Sequence, residues 1–494
     1  MTAQHVRVVI VGTGFSGLAA AIRLQQRGVA FTILERGDDV GGTWRDNTYP
    51  GCRCDVPSHL YSFSFAPNPE WTELFSPQPE IYAYLRRTAD RYGMGSHVRF
   101  GVALTEAAWD EDAGSWSLET TAGPLTCEIL ILGNGPLSEP AYPEIDGLDD
   151  FDGPVIHSAR WDHDVALDGK RVAVIGTGAS AIQLLPHVQA RATSVTLFQR
   201  TAPWVLPHFN RSITELERQV FRRAPLVQQA FRSGIYAATE AGAIALTRQP
   251  RLTGVLRRVG LDHLRRQVKD PDKRQKLTPH FQPGCKRLLM SNDYYRAVDQ
   301  PNVSVVTDRI ASFEDGTIVT TGGERWAADV VILGTGFRIL DNPMGEMIRG
   351  RDGTTLAKFW ADGGVRAHLG ATVPGFPNLV FLAGPNTGIG HTSLVVMIEA
   401  QVRYLLGALD ELSRRRARTF EVERAPFDTY NDEIKLRMQR TVWNTGGCSS
   451  WYLDAEGRNP TLWPDFTFRF VQRTRRFDAE HYRFGPTPEP QEAT

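Results

Sequence analysis

Four short apolar runs, each ending at a glycine, punctuate this 494-residue chain: Val8–Val11 before Gly12, Ile129–Leu132 before Gly133, Val172–Ile175 before Gly176, and Val330–Leu333 before Gly334. Continuous apolar runs of this length, bounded by turn residues, read as strands buried on both faces of a parallel sheet. The first and third lead into Ala/Leu-rich stretches with helical periodicity, and each resulting strand–helix unit closes on a second short strand. Those closing strands are Thr32-Ile33-Leu34-Glu35 and Val195-Thr196-Leu197-Phe198-Gln199-Arg200. Further strands are predicted around Val98–Val102, Ser115–Thr120 and Ile129–Leu132. Segments 129–135 and 330–337 resemble one another and read as the chain's two crossings between domains. Residues 211–280 carry a helical pattern, with Leu252, Val255, Leu256, Val259 and Leu264 at helical spacing and many arginines and lysines between them. A solvated basic helix face is the reading preferred there over a membrane-surface helix.

Both strand–helix junctions carry a glycine fingerprint. The first reads Gly12-Thr13-Gly14-Phe15-Ser16-Gly17, and the second Gly176-Thr177-Gly178-Ala179-Ser180-Ala181, with alanine permitted at the third glycine. Each follows a strand, opens a helix and is followed by a strand end at about 20 residues' distance, the context a dinucleotide-binding fold requires. The residue at that strand end separates the two ligands. Glu35 offers a carboxylate to adenosine ribose hydroxyls, which suits FAD, whereas Arg200 accommodates a 2′-phosphate, which suits NADPH. The expected class is α/β with two Rossmann-like dinucleotide-binding domains. Residues 1–150 form the first part of the FAD domain, 151–335 the NADPH domain with a helical insert at about 211–280, and 336–494 the second part of the FAD domain.

Composition narrows the function classes. With a formal net charge of −1, the chain has no overall field for nucleic acid or for a membrane surface. No apolar run reaches the ~20 residues of a spanning helix and no leader pattern precedes the first strand, so a cytoplasmic location is expected. The five cysteines, Cys52, Cys54, Cys127, Cys285 and Cys448, include no C-x-x-C pair. Neither a disulfide framework nor a dithiol redox pair is expected from that spacing. The histidines show no metal-ligand spacing, and no metal is expected. Residues beyond Phe484 are rich in Pro, Glu and Thr and read as a frayed end.

Two further segments carry a family resemblance. Phe151-Asp152-Gly153-Pro154-Val155-Ile156-His157-Ser158-Ala159-Arg160-Trp161-Asp162 reads F-x-G-x-x-x-H-x-x-x-W-D, and Gly41-Gly42-Thr43-Trp44 leads through Tyr49-Pro50-Gly51-Cys52-Arg53-Cys54-Asp55. Together with the glycine loops they resemble the Baeyer–Villiger monooxygenases, over nearly the whole chain. Related N- and S-oxidising flavin monooxygenases share the Phe, Gly and His but usually lack the Trp-Asp ending. The resemblance implies that His157 sits at a domain hinge and does not transfer protons. It implies a catalytic role for Arg287, within Pro283-Gly284-Cys285-Lys286-Arg287, as the cation that keeps a flavin peroxide deprotonated and steadies the oxyanion of the adduct. Asp55 would orient that arginine and touch the cofactors.

The same resemblance places Gly42, Thr43 and Trp44 against the flavin, and Lys286 near the nicotinamide nucleotide alongside Arg200. Gly176, Gly178 and Ser180 line the second nucleotide, as Gly12, Gly14 and Gly17 line the first. Trp451, in Cys448-Ser449-Ser450-Trp451-Tyr452, resembles the tryptophan of a mobile loop that closes over NADP. Segment 382–393 precedes an apolar helical run whose N-terminus would face the flavin. His391, within it, matches no pattern and is left without a role.

The implied activity is an FAD-containing, NADPH-dependent oxygenation in which O2, through a C4a-peroxyflavin, is inserted beside a ketone carbonyl to give an ester or lactone. Two alternatives stay open: an N- or S-oxidising flavin monooxygenase on the same scaffold, and an NADPH–flavin reductase serving a partner protein. Arg287 and the Trp161-Asp162 ending favour the ketone reading. Which ketone is converted, and how many copies of the chain assemble, do not follow from the sequence.

Overall fold

The computed structural model describes residues 4–486 and contains two parallel-rich sheets. The first has eight strands. Its spine, in order, is Leu125–Leu132, Gln4–Val11, Phe31–Glu35 and Val98–Phe100, all parallel. Val8, Val9 and Ile10 are wholly buried, as a central strand covered on both faces requires. Beyond Leu125–Leu132 the sheet turns antiparallel through Ser115–Thr120 and Leu104–Asp110, with Trp116 opposite Trp109. The late strand Leu379–Phe381 also pairs with Leu125–Leu132, at Leu130–Leu132. Residues on both sides of the second glycine fold therefore build one sheet.

The second sheet is wholly parallel, in the order Val303–Val306, Ser194–Phe198, Arg171–Ile175, Val330–Leu333, Val155–His157. His157 ends its edge strand, is almost fully buried, and accepts a bond on Nδ1 from the amide of Ala159 at 3.1 Å. Its ring lies near Phe337 and Tyr142, at the junction of the two sheets' connecting segments.

Both glycine loops press on the matching strand-end glycine. A Cβ on Gly17 would stand 1.8 Å from the carbonyl oxygen of Gly12, and one on Gly133 would stand 3.0 Å from the Gly17 nitrogen. In the second loop the third position already carries a methyl group: the Ala181 Cβ lies 3.1 Å from where a Cβ on Gly334 would be. The first loop thus demands glycine where the second admits alanine.

The insert is helical, with Glu215–Arg223, Pro225–Ala243, Thr253–Gln267 and Pro271–Lys276. Thr214 and Glu217 form a reciprocal cap at its entrance, with Thr214 N donating to Glu217 at 2.8 Å and Glu217 N to Thr214 Oγ1 at 3.2 Å. Leu264 packs inward, but Leu252, Val255 and Val259 face solvent together with Arg257, Arg258, Arg265 and Arg266, so only part of the apolar periodicity serves a core. The insert braces the first domain through Gln228, which donates to the Asn68 carbonyl at 2.8 Å and contacts His59 Nδ1 at 3.2 Å. Among the described residues no helix is long and apolar enough to cross a membrane.

Several sequence expectations change. Helix Gln78–Arg91, in a stretch for which no element was expected, buries Ile81, Tyr84, Leu85 and Thr88 at 3–4-residue spacing. Phe484 lies in strand Tyr482–Pro486, paired antiparallel with Ala417–Val422, so the chain is ordered past the expected fraying point. The remaining residues of that stretch lie outside the described part. The expectation of no disulfide is overturned, because Cys285 and Cys448 are bonded across 163 residues of sequence. A partner that distant leaves no spacing signature, since only folding brings the two segments together.

Two consequences are measurable. Gly17→Ala forces the first loop's backbone apart and should destabilise the protein by about 1–3 kcal/mol. Gly178→Ala, whose added Cβ meets nothing within 4 Å, should stay within about 0.5 kcal/mol. Thermal unfolding of the pair checks this. Separately, burial pulls His59 and His157 down to about 4 from an ordinary 6.5. Both therefore stay neutral when folded, and the unfolded chain binds protons that the native one refuses. Their contribution is complete above pH 6.5 and should be lost progressively as pH falls from 6.5 towards 4, read as a falling denaturation midpoint.

Candidate active site

The first glycine loop ends in a helix, Phe15–Gln26, whose first position is preceded by Gly14 and capped by no side chain. Its leading amides are therefore left for an anion, and Gly12, at φ +95°, turns the chain to bring them forward. Glu35 is buried and fully engaged. Its Oε2 accepts from Thr13 N at 3.0 Å and Thr13 Oγ1 at 2.6 Å, and its Oε1 accepts from Gly37 N at 2.8 Å and pairs with Arg45 at 2.9 Å. Burial pushes the carboxyl up, but these donors and the Arg45 charge outweigh it and hold it below the ordinary carboxylate value. Arg45 was not singled out in the sequence; it stands over Gly37, where a Cβ would meet its guanidinium carbon at 2.4 Å.

A second glycine turn docks on the first. Gly42, at φ +51°, leaves a Cβ position 3.2 Å from the Cα of Gly14, so Thr43 and Trp44 begin beside the glycine loop. Trp44 is buried and donates from Nε1 to the Tyr61 hydroxyl at 3.1 Å. The Tyr61 ring also meets Phe15, the first residue of the loop's helix, edge-on at 4.9 Å.

Asp55 and Arg287, 232 residues apart, meet in a two-pronged ion pair. Arg287 Nη2 donates to Asp55 Oδ1 at 2.7 Å and Nε donates to Oδ2, while Nη1 reaches the Ile389 carbonyl at 3.3 Å. Roughly a third of the Arg287 side chain (35%) and a quarter of the Asp55 side chain (26%) are open, so the pair is held but accessible. The Asp55 charge raises Arg287 further above an already basic value. Burial pushes Asp55 up, yet the Arg287 charge and hydrogen bonds prevail and keep it ionised below its ordinary range. The result is a fixed cation with its direction set by a planar fork.

The second glycine loop repeats the geometry with different polarity. Gly176 sits at φ +113°, with no room for a Cβ, which would strike the Gly334 carbonyl oxygen at 2.3 Å. Gly178 opens helix Ala179–Gln189, again without a side-chain cap, and nothing stands within 4 Å of its Cβ position. The Tyr49 hydroxyl donates to Gln183 Oε1 at 2.9 Å, on the helix that Gly178 opens. The Tyr-Pro-Gly segment therefore links the two loops, a contact the sequence did not reveal. Arg200 is exposed at its strand end. Lys286 is half-buried, and burial together with the nearby Arg200 charge lowers its basicity. Neither cation has a carboxylate partner among the described residues. Two unneutralised like charges this close favour an anion between them.

The loop after helix Val442–Thr445 carries the adjacent aromatic residues Trp451 and Tyr452. Trp451 is on the surface, 49% exposed, while Tyr452 is buried and within electrostatic reach of Arg287. Tyr452 was missed because adjacent aromatic residues in a loop do not reveal which one turns inward. His391, without a role in the sequence, lies in a buried polar junction. Its Nε2 stands 3.2 Å from Glu240 of the insert and 3.1 Å from Thr467 Oγ1.

Comparison with known proteins agrees with this layout. Residues 10–77 match the NAD(P)-binding Rossmann-like domain family. A Baeyer–Villiger monooxygenase of Streptomyces coelicolor is 47% identical over 488 residues, covering 98% of this chain and 94% of that protein. One from Pseudomonas aeruginosa is 47% identical over 489 residues, covering 98% and 93%. Among solved structures, an oxidized steroid monooxygenase bound to NADP is similar at a TM-score of 0.85 and 30% identity, covering 98% of this chain and 100% of that one. Cyclohexanone monooxygenase from Rhodococcus sp. Phi1 bound to NADP+ matches at 0.86 and 26%, with the same coverage. Identity of 47% over nearly the full length of both relatives places the chain in the Baeyer–Villiger monooxygenase family.

Proposed function

We propose that the protein binds FAD on the first glycine loop and NADPH on the second, and uses O2 to insert one oxygen atom beside a ketone carbonyl. The observation that carries this reading is the pair of consecutive cations Lys286 and Arg287. The Arg200 charge at the second loop's strand end acts on Lys286, while Arg287 pairs with Asp55 and acts on Tyr61, which packs on the first loop's Phe15. One short segment thus serves both nucleotide sites. The uncapped helix N-termini at Gly14 and Gly178, with no space for a Cβ on Gly17 or Gly176, fit two dinucleotides with their phosphates drawn close to backbone.

When bound and reduced by NADPH, the flavin activates O2 and supplies the nucleophilic oxygen that the ketone accepts. The chain's own residues set the conditions for that chemistry. Arg287 supplies a permanent positive charge that favours an anionic over a protonated oxygen and steadies the negative charge developing on the carbonyl oxygen. Asp55 aims the guanidinium and keeps it from rotating away. Arg200, with Lys286, would hold the 2′-phosphate of the nicotinamide nucleotide and supply the positive charge that favours NADPH. Glu35 and Arg45 shape the adenosine end of the first site, where a ribose hydroxyl would exchange with one of the donors now on the carboxylate. Trp44, buried beside the first glycine loop and bonded to Tyr61, would lie against the flavin.

Two variants test the assignment. Arg200→Ala should lower the preference for NADPH over NADH about tenfold to a hundredfold, since a charge-assisted phosphate contact is worth ~1.5–3 kcal/mol. Equal use of both nucleotides by the unmutated protein would overturn the phosphate site. Arg287→Ala should abolish ester formation while leaving anaerobic bleaching of the flavin by NADPH intact, and in air should release mainly hydrogen peroxide. Arg287→Lys should rescue poorly, because an ammonium lacks the fork that Asp55 grips. Rapid-mixing spectra with product analysis under labelled O2, using a ketone panel, separate the two half-reactions. Ester formation retained in Arg287→Ala would remove Arg287 from the chemistry.

A further inference from the structure

We propose that Tyr452 is a positioning residue for Arg287, and that the disulfide between Cys285 and Cys448 acts as the clamp that sets whether it is in place. The proposal rests on the catalytic reading of Arg287 given above. Cys285 lies two residues before Arg287, and Cys448 lies four residues before Tyr452, so the bond ties the two segments at their roots. Alongside it, Gln282 N donates to the Gly446 carbonyl at 2.9 Å. Gly446 is pressed so closely that an added Cβ would stand 2.6 Å from the Cys285 Cβ. The loop then turns at Gly447, φ +73°, sends Trp451 outward and buries Tyr452 against Leu246, Val442, Trp443 and Leu462.

The guanidinium needs this neighbour. Asp55 holds its Nε–Nη2 edge, but the Nη1 side has only the 3.3 Å contact with the Ile389 carbonyl. Tyr452, buried on the loop that the disulfide roots beside the Arg287 segment and close enough to feel the guanidinium's charge, adds a hold that limits its rotation. Without the clamp, the loop is joined to the Arg287 segment by one backbone bond and apolar packing, and both glycines in it favour alternative conformations.

The clamp is redox-active by composition. Cys285 is fully buried and Cys448 is partly open, so Cys448 meets an oxidant first. Hydrogen peroxide, formed whenever reduced cofactor and O2 react without oxygen transfer, is such an oxidant. The Cys448 sulfur attacks one peroxide oxygen, the O–O bond breaks, and a sulfenic acid and water result. The Cys285 sulfur then displaces a second water and the S–S bond forms. Two thiols and one peroxide give one disulfide and two waters, the thiols losing two electrons. A dithiol reductant reverses the bond. Wasted peroxide would thus close the clamp that limits further waste.

The test uses the purified flavin-loaded enzyme, oxidised or treated with dithiothreitol. Thiol titration in denaturant should find three free cysteines, Cys52, Cys54 and Cys127, in the oxidised form and five after reduction. Amide exchange in residues 446–453 should be protected only when oxidised. The ratio of ester to peroxide per NADPH should fall about tenfold on reduction and by a similar factor in Tyr452→Phe, as expected for losing a polar group beside a charged one. Reduction should have little further effect in Tyr452→Phe, and Cys448→Ser should resemble the reduced enzyme. Five titratable thiols after peroxide treatment, or an unchanged ratio in both reduced enzyme and Tyr452→Phe, would overturn the proposal. So would an equal fall in anaerobic flavin bleaching, which marks a general collapse of the loop. Ester formation retained in Arg287→Ala would instead sink the underlying catalytic reading and leave the thiol and exchange results standing.

Discussion

The ion pair between Arg287 and Asp55 is the constraint around which this molecule is arranged. Desolvating a guanidinium and a carboxylate is costly unless geometry and hydrogen bonding compensate, and the pair meets that condition with two parallel N–H···O bonds. The partners come from distant places: Asp55 from the loop after the first strand–helix unit, Arg287 from the end of the helical insert, and the Ile389 carbonyl from the approach to helix Leu394–Arg415. No one of these segments can shift without loosening the charge. A cation so oriented serves the oxygen-insertion reading because its field points where negative charge develops, with no reorganisation needed during the reaction.

The two nucleotide loops show how one backbone device yields two sites. Both use a left-handed glycine at the strand end and a helix without a side-chain cap. They differ in what surrounds that device. At the first, Glu35 gathers Thr13, Gly37 and Arg45 into a neutralised, buried cluster. At the second, Arg200 and Lys286 feel one another's charge and neither is paired with a carboxylate among the described residues. In the proposed assignment, electrostatics more than backbone shape would distinguish the ligands.

The helical insert belongs to the active region through its inner face. Gln228 contacts His59, Arg232 donates to the Ser62 carbonyl at 2.9 Å, and Glu240 meets His391 at 3.2 Å. Glu240 also accepts from the amide of Phe468 at 2.9 Å. These contacts join the insert to the first sheet's loops and to the C-terminal helix, so the arginine it delivers arrives in a fixed frame. Its outer face, with Leu252, Val255 and Val259 in solvent beside arginines, has no such role in the fold.

How much of this was legible depends on the range of the interaction. Glycine loops, buried strands and the strand-end residues Glu35 and Arg200 are local patterns, set by sterics and by hydrophobic periodicity within some 25 residues, and the sequence alone was enough to identify them. The fold class and the family resemblance rest on those patterns. Arg287 and Asp55 could be singled out only through that resemblance, because a basic pair and a loop aspartate carry no local sign of meeting. The Cys285–Cys448 bond, the burial of Tyr452 and the His391–Glu240 junction could not be read at all. Each depends on which side chains two remote segments present to one another once packed. That choice is made by burial and close packing across the whole molecule, and no spacing along the chain records it.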